Sequence, residues 1–90
     1  IELGEIETAL NSLAGVGAAV CFHRAQDDRI ICAYSGSADK KQLASDIRGL
    51  LPRYMHPNIY FCLDALPMNA NGKVDRQRLR SMVGLNGTDQ

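Results

Sequence analysis

The sequence predicts a small α+β domain with the element order α-β-β-α-β-α, its helices flanking a small, mainly antiparallel sheet of about three strands. Two observations carry this. Apolar residues recur at helical spacing in three stretches, and between them lie three short runs rich in strand formers. A chain of 90 residues that is 46% apolar suits one domain with a modest core.

Ile6, Ala9, Leu10 and Leu13 fall on one helical stripe, with Glu5 and Glu7 placed early, where negative charge suits the helix dipole. The spacing predicts a helix over 4–13, with Gly15 as a left-handed stop. Val16–His23 and Ile30–Tyr34 are apolar and partly β-branched, separated by a polar, turn-prone segment from Arg24 to Arg29. They read as an antiparallel hairpin whose near-continuous apolar character requires cover on both faces.

Ser37 or Asp39 can cap a second helix with a stripe of Leu43, Ile47, Leu50 and Leu51, ended by Pro52. A short connector fenced by Pro52 and Pro57 follows, with Tyr54 and Met55 expected to anchor it to the core. Ile59–Leu63 is the third strand. Asp64–Gly72 has turn chemistry, and Asp75 can cap a last helix with Leu79, Met82 and Val83 on one side. The domain is expected over 1–83, with 84–90 a flexible tail.

Ten basic side chains balance ten acidic ones, so no overall field favours nucleic acid or an anionic membrane. No apolar run approaches the 18 or so residues of a membrane span. The charge is uneven, however. Glu2, Glu5 and Glu7 crowd the start, while Lys73, Arg76, Arg78 and Arg80 crowd the end, as a solvated helix face or a surface for an anion. Cys21, Cys32 and Cys62 each sit in an apolar run and read as small buried hydrophobes, reduced, in a cytoplasmic protein. Neither they nor His23 and His56 have zinc-ligand spacing. No metal site is expected. The two histidines read as structural or surface groups, because no serine or cysteine is placed to use either as a base.

The stretch with most chemical potential is Asn71-Gly72-Lys73-Val74-Asp75-Arg76. Asn71 and Gly72 tolerate positive φ, so the chain can turn tightly and present Lys73 outward. A lysine ammonium is a compact charge suited to phosphate or carboxylate oxygens. Alone, the triplet fits an exposed turn lysine without function better than a site. It is not a phosphate-binding P-loop, since Pro67 and Val74 replace the required glycine and hydroxyl.

Three segments in register change that balance: Ile1-Glu2-Leu3-Gly4-Glu5-Ile6-Glu7, Leu51-Pro52-Arg53-Tyr54-Met55-His56-Pro57, and Leu66-Pro67 followed by Asn71–Arg76. Together they resemble the small C-terminal subdomain of amino-acid adenylation domains. Those domains belong to nonribosomal peptide synthetases, within the superfamily of acyl-CoA synthetases and luciferases. D-alanine-activating ligases are close relatives. Asn69-Ala70 departs from the Thr-Pro frequent there, and His56 replaces an aliphatic residue; the missing proline predicts a less rigid loop.

The resemblance implies a mobile lid that serves ATP-dependent aminoacyl-adenylate formation with Mg2+, then transfer to a phosphopantetheine thiol. It implies Lys73 as the catalytic cation, with Asn71 and Gly72 shaping its loop toward ATP, and Leu3 and Gly4 on a face bordering the pantetheine path. The implied partners are a large N-terminal adenylation subdomain, a carrier (thiolation) domain and an amino-acid substrate. Mg2+ and ATP would be held mainly by that large subdomain, and the hinge would lie upstream of Ile1. The chain alone is expected to be inactive, as a piece of a longer polypeptide. The competing reading is a non-catalytic, stand-alone interaction module of the same fold that docks on a carrier protein or a partner subdomain.

Overall fold

The computed structural model describes residues 2–85. Helix α1 spans Leu3–Asn11, strand β1 Val16–Arg24, β2 Arg29–Gly36, helix α2 Lys40–Ile47, a single 3-10 turn Arg53–Met55, strand β3 Ile59–Leu63 and helix α3 Arg76–Met82. The expected element order is therefore present. The sheet runs β1-β2-β3, with β1 and β2 antiparallel and β2 and β3 parallel. The sheet is thus mixed, with its longer ladder antiparallel. The reason is topological: α2 carries the chain from the end of β2 back to its start, so β3 must run the same way.

Alternation along β1 and β2 splits the core in two. Ala19, Cys21, Ile30, Cys32 and Tyr34 face Ile6 and Leu10 of α1 and Leu43 and Ile47 of α2. Val20, Phe22, Ile31 and Ala33 face the opposite layer, with Leu66, Leu79, Val83 and Leu85. Both faces of the hairpin are covered, as its apolar sequence requires.

β1 is an edge strand, and α1 closes that edge with side chains. Asn11 pairs with both backbone groups of Ala19, at 3.0 and 3.1 Å, and the Glu7 carboxylate accepts from the Cys21 amide at 2.7 Å. An edge left open would be a template for foreign strands. Asn58 does similar work before β3, bonding the amide and carbonyl of Ile30.

Several expectations need correction. α1 ends at Asn11 with Ser12 as C-cap, and the left-handed Gly15 lies further on, before β1. Asp39 caps α2 through the Gln42 amide, but α2 ends at Ile47, well before Pro52. Leu50 therefore leaves the stripe and is 51% exposed. Met55 is buried while Tyr54 is 69% exposed, so one residue anchors the connector, not two. His56 assists by bonding the Leu51 carbonyl at 2.8 Å. Cys62 is exposed because it lies near the end of the short outer strand, whereas Cys21 and Cys32 are buried partners across β1 and β2.

The C-terminal boundary also moves. Leu85 is buried against the α3 layer, so the body continues beyond residue 83. The Leu85 amide reaches the Arg80 carbonyl at 2.7 Å and the Gly84 amide reaches that of Ser81 at 3.1 Å. This double closure requires the left-handed φ of +81° that Gly84 adopts, and it turns Leu85 back onto the core. Met82, by contrast, is half-exposed. Ile1 and residues 86–90, the rest of the expected tail, lie outside the described residues. Among the described residues, no helix is long and apolar enough to cross a membrane.

Candidate functional site

Lys73 sits on a closed loop between β3 and α3. Leu66 buries its side chain at the loop's entry. Across the base, the Asp75 amide donates to the Pro67 carbonyl at 2.8 Å, and Met68 and Val74 form an antiparallel bridge. At the tip, Gly72 adopts φ +78°, and its amide donates to the Asn69 carbonyl at 3.1 Å. Asn69 organises the remainder. Its side-chain oxygen accepts from the amides of Asn71 at 2.9 Å and Lys73 at 3.1 Å, while its own amide donates to the Lys73 carbonyl at 2.7 Å. The backbone of Lys73 is therefore held on both sides. Its side chain is exposed, and among the described residues nothing bonds its ammonium.

The loop is fixed to the helix that follows. Asp75 caps α3 by accepting from the Arg78 amide at 3.0 Å. Arg76, the first residue of α3, makes a two-pronged bond to Glu7 of α1, with both distances 3.0 Å. The Glu7 carboxylate raises the pKa of the Arg76 guanidinium further above its already high ordinary value. Arg80 lies over the Phe22 ring, 5.2 Å from its centre. Two members of the basic C-terminal cluster are thus engaged by the protein itself, and Lys73 differs from both in projecting away.

The expected site residues fall into two groups. Asn71, Gly72 and Lys73 form the loop tip. Leu3 and Gly4 open α1, with Gly4 exposed and its carbonyl accepting from the Thr8 hydroxyl at 2.9 Å. Leu3 lines a cleft of about 510 Å³ with Cys21, His23, Arg76 and Arg80. The loop tip is not among the residues lining that cleft; Arg76, three residues after Lys73, lines it and is bonded to Glu7 of α1. His23 is bonded to Asp28 at 2.6 Å on the hairpin turn, apart from the lysine loop. A second cleft of similar size, at the start of α2, is lined by Tyr34, Lys40, Lys41 and Cys62 and includes none of the expected site residues.

Two residues that matter here escaped the sequence reading. Asn69 entered it only as a departure from a pattern. Glu7 entered it as a helix-dipole charge, yet its carboxylate turns away from the helix end to strand and arginine. One signal was available: Glu7 and Asn11 are one turn apart beside the Ile6/Leu10 stripe, a polar pair flanking a buried face.

No family model matches the chain. Among curated proteins, tyrocidine synthase 3 of Brevibacillus parabrevis is 43% identical over 84 residues, which is 88% of this chain and 1% of that protein. Among solved structures, a four-domain nonribosomal peptide synthetase bound to AMP and glycine matches with a TM-score of 0.72 at 36% identity, over 84% of this chain and 6% of the other. Klebsiella oxytoca NpsA, in complex with 3-hydroxyanthranilyl-AMSN, matches with a TM-score of 0.84 at 27% identity, over 92% of this chain and 17% of that one. The chain spans only a small fraction of the length of the proteins it matches.

Proposed function

This chain belongs to the adenylation-domain family of the nonribosomal peptide synthetases, and from that premise we propose that it is the mobile C-terminal lid of an amino-acid-adenylating enzyme. The observation that carries the reading is Lys73: an exposed ammonium with no bonded partner among the described residues, on a backbone that its own loop holds still.

In the reaction proposed, a carboxylate oxygen of the amino acid bonds to the α-phosphorus of ATP. The bond from that phosphorus to its bridging oxygen breaks, and pyrophosphate leaves with the electron pair. Both reactants are anionic. A cation held between the carboxylate and the phosphoryl oxygen lowers their repulsion and offsets the charge of the pentavalent arrangement. Rigidity of the loop matters because a preorganised charge needs no reorganisation as the reaction proceeds. In the second step a phosphopantetheine thiolate on a carrier domain attacks the acyl carbon, and AMP leaves. Leu3 and Gly4, on the α1 end, are the residues this reading places along the thiol's path.

Among the described residues no group of three or more His, Cys, Asp or Glu gathers as a metal site. In this reading Mg2+ is held with ATP mainly by the large N-terminal subdomain, and no step above is routed through a metal on this chain. The adenine site and the amino-acid pocket belong, in this reading, to a large N-terminal subdomain, and the assembly works in the cytoplasm. The test is pyrophosphate exchange by the intact enzyme carrying Lys73→Ala. A severe loss is expected; unchanged exchange would overturn the assignment.

A further inference from the structure

We propose that Glu7 is a positioning residue for Lys73, acting through Arg76; the proposal rests on the reading of Lys73 as the catalytic cation. Glu7 and Arg76 are 69 positions apart in sequence, yet the guanidinium meets both carboxylate oxygens at 3.0 Å. Arg76 is three residues from Lys73, and between them Asp75 is bonded to Pro67 at the loop base and caps α3. A displacement of Arg76 therefore moves the loop's exit.

An ion pair on a surface is ordinarily worth little. This one differs in its anchor. The Glu7 side chain is only 14% exposed, against 57% for Arg76. One of its oxygens is also bonded at 2.7 Å to the Cys21 amide in β1. The carboxylate is thus fixed by strand backbone and presents a rigid two-oxygen face. Arg76, with its planar fork, fits that face with both position and angle defined.

Among the described residues α3 is held more lightly at this end: within the helix only Leu79 is buried, three residues beyond Arg76, and Val74 just before the helix is only partly buried against the same layer. α1 is different: Ile6 and Leu10 are fully buried, and Asn11 is paired with Ala19. Breaking the clamp should therefore release the lysine loop while leaving α1, with Leu3 and Gly4, in place.

The experiment uses the intact adenylating enzyme and follows the two half-reactions separately. Glu7→Gln keeps an acceptor for the Cys21 amide but removes the charge and the symmetric fork. It is expected to lower the rate of adenylate formation roughly ten- to hundredfold, the scale of a misplaced reacting group, with KM for ATP unchanged. Transfer to the carrier thiol from supplied aminoacyl-adenylate should keep its rate. Arg76→Gln should match it, the double variant should be no worse than either single, and Arg76→Lys should recover part of the loss. Additive losses, equal loss in both half-reactions, or no loss would overturn the proposal. Lys73→Ala, measured alongside, separates the two claims. If it is impaired while Glu7→Gln is not, the positioning role alone fails. If it is unimpaired, the functional reading fails and takes this proposal with it.

Discussion

Asn69 grips Lys73 at both backbone groups: its side-chain oxygen accepts the Lys73 amide at 3.1 Å and its own amide donates to the Lys73 carbonyl at 2.7 Å. The loop lacks the proline that would stiffen it, and this pair, with the Met68–Val74 bridge, closes it instead. A single substitution at Asn69 can therefore remove the two side-chain bonds to the Asn71 and Lys73 amides, while the backbone bonds of the loop remain.

Asn69→Ala should separate stability from activity. The amides it frees are exposed and can bond water, so unfolding free energy should fall by no more than about 1 kcal/mol. Adenylate formation should fall more steeply, because a loosened cation loses its preorganisation. Asn69→Asp, which retains the acceptor, should remain close to the parent. Paired denaturation and pyrophosphate-exchange measurements on the intact enzyme check this; equal activity in Asn69→Ala would show that the loop is ordered by other means.

Much of this architecture was legible in the sequence. Apolar spacing located three helices, strand-forming runs located three strands, and β3 matches its expected bounds at Ile59–Leu63. Asp75 caps as expected and Asp39 is the one of the two expected candidates, Ser37 or Asp39, that caps α2, because a cap bonds amides two or three residues away and is read locally. What escaped depends on distant partners. Nothing near Glu7 announces Arg76, and nothing near Asn11 announces the edge of β1. The early end of α2 was hidden by Leu50 and Leu51, which continue the apolar spacing after the helix has stopped. Leu85 was missed because its burial needs the reversal at Gly84, not a helical stripe. The site divides in the same way. Lys73 on its turn was visible from Asn71 and Gly72, while the Glu7–Arg76 pair beside it was not.

The edge of β1 offers a test of the fold itself. Asn11→Ala removes both bonds to Ala19, and the edge groups turn to water or stay unpaired. A loss of about 1–2 kcal/mol in unfolding free energy is expected. Hydrogen exchange at the Ala19 amide should accelerate well beyond that at Ile31, which is fully buried on β2. Equal acceleration at both would mean that the whole sheet, not its edge, depends on Asn11.

Tyr34 predicts a dependence on alkaline pH. Its ring is buried and its hydroxyl donates to the Ala38 carbonyl at 2.8 Å. Burial first, then the Cys62 thiol, raises its pKa from 10.0 to about 12. Because the folded value lies above the unfolded one, this stabilisation is complete below about pH 10 and disappears as pH rises toward about 12. Tyr34→Phe should cost about 1 kcal/mol near neutrality and reduce the slope of the stability profile over that interval, to which Tyr60 and Cys21, whose pKa values are also raised, contribute the rest. A profile unchanged by the substitution would remove Tyr34 as a contributor.

The central claim is that Lys73 acts in the first half-reaction, and single-turnover kinetics on the intact enzyme with Lys73→Ala test it most directly. Adenylate formation from ATP and amino acid should slow by about 10²–10³, the usual effect of losing one preorganised charge contact. Transfer from supplied aminoacyl-adenylate to the carrier thiol should retain its rate. Equal loss in both steps, or an undiminished first step, would contradict the account.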